Sequence, residues 1–174
     1  MSKAIKEGRL CRYFYYPRLA YLNEQEYDKY KYYTKKLAEL WDSSKNKFTN
    51  KEEAETLLMK RKRIIHKCND KLRIYRDIIK EIGLDALRYV FVYVPEGKYL
   101  DEGENLQEER DDETFMQKLL DITKDEYPDL RCSTFSAKKS SSERNELLES
   151  FARGNINVLL AMKCLDEGVD IPRA

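Results

Sequence analysis

The sequence predicts an α/β protein, a truncated three-layer unit with three parallel strands preceded by a long helical hairpin. Three observations carry this reading. From residue 84 onward, apolar runs of strand length alternate with helical patterns, the order of a parallel sheet with right-handed crossovers. Between residues 23 and 83, apolar residues instead recur at helical spacing. The last apolar run, Ile156 to Ala161, is continuous between turn signals, as a strand covered on both faces reads.

Composition sets the outer bounds. The 174 residues suffice for one domain with a helical appendage. Charged residues make up 37%, yet 33 basic and 32 acidic side chains nearly cancel. Contact with a polyanion must therefore come from local patches rather than net charge. Thirteen tyrosines stand against one tryptophan, and most fall in the first third. Half-exposed helix faces account for them, since a tyrosine buries its ring while its hydroxyl stays wet; a base-stacking platform is the alternative. Cys11, Cys68, Cys132 and Cys164 lie far apart without a C-x-x-C pair, which fits neither a zinc site nor a disulfide framework. Cys132 and Cys164 are expected to pack in or beside strands in a reducing cytoplasm. His66 is the only histidine, which excludes triads and histidine-rich metal sites within this chain. Neither a signal peptide nor an apolar span of about 18 residues occurs, so no membrane partner is expected.

Three segments follow in order. Residues 1–22 form an extended interdomain arm: Arg12 to Pro17 and Leu19 to Leu22 are aromatic and β-prone, and Pro17 prevents a long helix. Residues 23–83 form the helical hairpin. Asn23 with Glu26 is a capping box, and Tyr27, Tyr30, Tyr33, Leu37, Leu40 and Trp41 make one apolar stripe. Thr49 with Glu52 is read as a second capping box. The period then continues from Ala54 to Ile82 and a C-cap at Gly83, roughly 50 Å of helix if unbroken, with a break expected near Asn69-Asp70. The two helices are expected to pair antiparallel.

Residues 84–174 change period. Tyr89 to Val94 is dense in β-formers and closes at Pro95-Glu96-Gly97. An acidic loop, Asp101 to Asp112, is expected before a helix carrying Phe115, Met116, Leu119, Leu120 and Ile122, which must end before Pro128. Arg131 to Phe135 reads as a short strand, Ser140 with Glu143 caps another helix, and Gly154 closes it. The final strand feeds the polar turn Met162-Lys163-Cys164-Leu165-Asp166-Glu167-Gly168-Val169-Asp170-Ile171-Pro172. Polar residues just past the carboxyl end of such a strand sit where open α/β sheets bind ligands.

Other candidate motifs are weaker. Gly97-Lys98 lacks the upstream glycine of a phosphate loop, and Tyr99 stands where Ser or Thr would hold magnesium, so no Walker A is present. The acidic run at 101–113 reads as a solvated loop rather than a cation site. Lys60-Arg61-Lys62-Arg63, with Lys67, Lys71, Arg73 and Arg76, reads as a wet helix face ahead of a phosphate contact.

From Ser136 to Pro172 several signals share one register and resemble the second motor domain of superfamily 2 helicases and translocases. Arg144, Phe151 and Gly154 fit that family's arginine-phenylalanine-glycine pattern, and Val158 to Ala161 fits its strand. Leu165 to Pro172 looks like its motif V, and Arg88 to Tyr93 like its motif IV. The lead-in Gly8 to Pro17, Leu57 to Ile65 and Asn69 to Leu72 is similar to helicases of the XPB and restriction-subunit type. The resemblance implies a partial RecA-like sheet, P-loop NTPase-like, from an ATP-driven motor that works on nucleic acid, DNA ahead of RNA. It implies ATP and Mg2+ held mainly by a first RecA-like domain outside this chain. By the same resemblance Glu167, Gly168 and Asp170 are nucleotide-binding, with the Asp170 carboxylate on the ribose. Ser136, Met162, Lys163 and Cys164 face the nucleic-acid backbone, where Lys163 supplies a cation.

Two departures stand out. Met162 occupies a position where many relatives have threonine, and Ser136 replaces a common glycine. The arginine-rich motif VI is expected beyond Ala174 and the Walker A domain before Met1, so the chain alone is expected not to hydrolyse ATP. Without later strands apolar surface is expected to be exposed, and self-association is an expected consequence. Two other readings are carried beside the motor: a non-catalytic interaction module, and a double-strand translocase of the Swi/Snf kind.

Overall fold

The computed structural model describes residues 14–95, 105–136 and 138–162, with the backbone alone at 105–114. Helix α1 (Glu24–Glu39) begins at the expected capping box: Asn23 Oδ1 accepts from the Glu26 amide at 2.9 Å, and Glu26 Oε2 accepts from the Asn23 amide at 3.0 Å. A two-residue antiparallel ladder, β1 (Trp41–Asp42) with β2 (Lys47–Phe48), turns the chain back into α2 (Lys51–His66). The second cap differs from expectation by one residue. Thr49 spends its amide and hydroxyl on the Leu40 carbonyl, so the Asn50 side chain receives the Glu53 amide instead. The core between α1 and α2 is thin. Leu37 and Ala54 are buried, whereas Tyr27 on the expected stripe stays 52% exposed.

The helical run breaks where expected. α2 ends at His66, and α3 (Asp70–Ile82) restarts at Asp70 and stops at Gly83, whose φ of 80° suits glycine. Three hydrogen bonds gather the start of α1 and the arm around this joint. The Cys68 thiol donates to the Tyr21 carbonyl at 3.0 Å, the Asn69 amide to Glu26 Oε1 at 2.9 Å, and the Tyr21 amide to Asp70 Oδ2 at 2.9 Å. Arg18 pairs with Glu81 farther along α3. Residues 14–23 form no strand; the arm is held through the Tyr21 backbone and the Arg18 side chain while its rings stay outside.

The α/β part holds β3 (Val90–Val94), α4 (Asn105–Glu126), β4 (Cys132–Phe135), α5 (Ser141–Ala152) and β5 (Val158–Met162). All three strands are parallel in the order β3-β5-β4. The strand with the continuous apolar run is therefore central, and Val158 to Ala161 are buried. The acidic stretch corrects the expected loop: the chain is helical from Asn105, because Leu, Gln, Glu and Arg are strong helix formers and no proline interrupts them.

Strand alternation sorts the core into two sides. Val90, Val92, Val94, Val158 and Leu160 pack under α3 and α4 with Tyr75, Ile79, Leu119 and Ile122. Phe91, Phe135, Leu159 and Ala161 pack under α5 with Leu147, Leu148 and Phe151. The result is three layers, and α3 belongs to one of them.

Candidate nucleotide and nucleic-acid site at the carboxyl edge

Parallel pairing sets the carboxyl ends of the strands at one edge. Val94 stands opposite Met162, and Phe135 opposite Ala161. Ser136, one step past Phe135, is thus level with Met162 across the β4–β5 pair. Two of the sequence-predicted residues therefore share one edge. Ser136 is 7% exposed, and Met162 is half-buried against the α3/α4 side of the core. Lys163, Cys164, Glu167, Gly168 and Asp170 lie outside the described residues.

The same edge carries a helix start. The Ser136 carbonyl accepts from the Lys139 amide at 3.2 Å, and the turn leads into α5. Ser140 caps it reciprocally: its hydroxyl accepts from the Glu143 amide at 3.3 Å, and its amide donates to Glu143 Oε2 at 2.7 Å. The Ser140 hydroxyl and amide hold the Glu143 carboxyl below the usual glutamate range. Lys138 is exposed, Lys139 half-buried, and Arg144 reaches the Ser141 hydroxyl from the first turn. A helix start beside cations favours anions. Reading the sequence by motif passed over Lys138-Lys139; their place between a strand end and an N-cap was the available signal.

The opposite edge is structural. Asn157, just ahead of β5, accepts on Oδ1 from the Arg131 amide and Nε and donates from Nδ2 to the Leu87 carbonyl at 2.9 Å. It ties the lead-ins of all three strands together.

The basic run on the helices is largely committed within the chain. Arg61 lies over the Tyr30 ring, Arg73 binds Asp70 and Asp77, and Arg76 binds Glu126. Lys71 donates to the His66 carbonyl, and burial lowers its ammonium below the usual lysine range. Cys68 and Cys132 are free thiols, both pushed up by burial, Cys132 to about 11. Among the described residues no group of three or more His, Cys, Asp or Glu is placed to hold a metal ion, and no helix is long and apolar enough to cross a membrane.

The three parallel strands with a helix layer on each face give the α/β part the form of a partial RecA-like unit. Residues 90–174, from β3 to the end of the sequence, match the family model described as helicase conserved C-terminal domain, and this portion is similar to that domain. Among solved structures, the chain is similar to the helicase domain of Hef from Pyrococcus furiosus, with 22% identity and a TM-score of 0.39, over 84% of this chain and 27% of that one. The chain thus spans about a quarter of the length of that protein. No curated protein matches the chain.

Proposed function

We propose that this chain contributes one wall of the nucleotide cleft, and part of the nucleic-acid path, of an ATP-dependent superfamily 2 motor. The XPB and restriction-subunit branch is the favoured relation, and DNA the favoured substrate. The observation that carries the reading is the family match across residues 90–174, which takes in the segment from Lys163 to Pro172. Support comes from the carboxyl edge itself, where Ser136, Met162 and the cationic start of α5 come together.

In this reading Asp170 accepts a hydrogen bond from the ribose hydroxyl, and the backbone at Glu167 and Gly168 lines the cleft. Lys163 neutralises a backbone phosphate, while Ser136, Met162 and Cys164 flank that path. Backbone contact rather than base contact suits a motor that steps through any sequence. ATP turnover also needs a P-loop to hold ATP with Mg2+, and an arginine finger to stabilise the transferred phosphoryl. The sequence holds no Walker A run, so a partner RecA-like domain must supply the first of these.

The purified chain is expected to show no ATP turnover and to bind nucleic acid in a salt-dependent way. Lys163→Ala should weaken that binding and lower the salt slope by about one. Turnover by the chain alone that survives Asp170→Ala, or a Lys163→Ala slope equal to the parent's, would contradict the proposal.

A further inference from the structure

We infer that the arm and the outer face of α1 form a second nucleic-acid site, one that takes unpaired bases. It is separate from the carboxyl edge and does not depend on the roles given to that edge. Six aromatic side chains within residues 14–32 are more than half exposed: Phe14, Tyr15, Tyr16, Tyr21, Tyr27 and Tyr32. So many open rings in one short stretch mark a contact surface rather than scatter.

Geometry points to flat aromatic ligands. The Phe14 and Tyr16 rings lie 28° from parallel with centroids 6.5 Å apart, and they are 80% and 73% exposed. That separation is close to two base-stacking steps of about 3.4 Å each. Both rings sit on backbone fastened to α3 by Arg18–Glu81 and Tyr21–Asp70, so the platform is anchored although its rings stay outside. On α1, Tyr32 stands between Lys29 and Lys35, three residues to either side and therefore on one helix face. Lys29 and Lys35 are exposed and make no ion pair among the described residues, in contrast to Lys31 with Asp28 and Lys36 with Glu39. A ring flanked by two ammonium groups matches a base flanked by two phosphates.

Charge distribution agrees with an anionic partner here rather than farther along the chain. Residues 14–39, the arm and α1, carry 5 Lys and Arg against 4 Asp and Glu, a net +1, whereas residues 70–174 carry 16 against 23, a net −7. The near-neutral total conceals that acidic part, so the arm and α1 repel a polyanion less than it does. In this stretch Leu19 is the sole large aliphatic residue as exposed as the rings, so the surface offers flat π faces beside cations. Stacking needs unpaired bases, so the ligand is a single strand rather than a duplex.

The test is fluorescence anisotropy with the full chain and three probes: oligothymidylate of roughly 16 nucleotides, the matching oligouridylate, and the thymidylate annealed to its complement. Either single strand should bind more tightly than the duplex, and the tighter of the two tells DNA from RNA. The triple variant Phe14→Ala, Tyr15→Ala, Tyr16→Ala and the single variant Tyr32→Ala should each weaken single-strand binding by roughly fivefold or more. Tyr32→Phe should stay close to the parent, because the ring and not the hydroxyl does the stacking. All these side chains are exposed, so the melting temperature should hold. Unchanged affinity in both alanine variants, or tighter binding of the duplex, overturns the inference. A loss confined to Lys163→Ala would sink it while leaving the carboxyl-edge reading intact, and a loss confined to the aromatic variants would do the reverse.

Discussion

Tyr75 on α3 and Thr123 on α4 meet hydroxyl to hydroxyl at 2.7 Å inside the core, 8% and 0% exposed. Thr123 already donates its proton to the Leu119 carbonyl at 2.8 Å, so Tyr75 is the donor in the pair. This bond, with Arg76 Nε on Glu126 Oε1 at 2.6 Å nearby, fastens α3 to the layer that covers the sheet. The third helix of the helical region thus shares one core with the strands that carry the candidate site.

Removing Thr123 should hurt more than removing its partner's hydroxyl. Thr123→Val leaves the Tyr75 hydroxyl buried without an acceptor and is expected to cost about 1–3 kcal/mol. Tyr75→Phe removes the donor, leaves Thr123 bonded to Leu119, and should cost about 1 kcal/mol. The double variant should be less destabilised than the two costs added together, as befits coupled neighbours. Urea unfolding of the four proteins measures this, and strict additivity would show that the pair is not coupled.

Alkaline pH should loosen the α/β part. Burial pushes Tyr75 from 10.0 up to about 12 and Cys132 from 9.0 up to about 11. In both cases the folded state keeps its proton after the unfolded chain has lost it. The stability linked to Cys132 is therefore whole below pH 9 and lost as pH rises through about 11; that linked to Tyr75 is whole below pH 10 and lost through about 12. Melting temperature should fall across this window, and Cys132→Ala with Tyr75→Phe should flatten the fall. An equally steep fall in the double variant would place the alkaline sensitivity elsewhere. Alkylation of Cys132 in the folded chain near pH 8 should correspondingly be slow.

Asn157→Ala should cost on the order of 2–3 kcal/mol, since the Arg131 amide and the Leu87 carbonyl both lose their side-chain partner. Asn157→Asp keeps the acceptor for Arg131 but cannot donate to Leu87, so it should fall between the parent and the alanine variant. Hydrogen exchange read along β3, β4 and β5 is the sharper measurement. Faster exchange at all three amino ends is expected, and a change confined to β5 would show that the staple does not bind the strands together.

Much of this architecture was legible in the chain. The caps at Asn23, Ser140 and Gly83 are local chemistry and stand where the sequence put them. The unbroken apolar run of β5 marked it as covered on both faces, as it is, because such a strand needs no polar alternation; its place between β3 and β4 came from the fold. The second cap moved from Thr49 to Asn50 because a two-stranded ladder outside the helix claims Thr49 first. The acidic stretch became helix from Asn105 because charge alone does not decide between helix and loop. At the site, Ser136 and Met162 come level on neighbouring strands, while the polar turn from Lys163 to Pro172 lies outside the described residues.

The sequence by itself determined most element boundaries and which strand is covered on both faces, since capping, proline and apolar periodicity act within a few residues. Tertiary structure alone decided that α3 joins the sheet's covering layer through Tyr75 and Thr123, 48 residues apart, and that Asn157 staples three strands. It also decided that Phe14, Tyr15, Tyr16, Tyr21, Tyr27 and Tyr32 stay outside while Leu37 and Ala54 go in. Those outcomes depend on which surfaces meet after the chain folds back, and no local pattern records that.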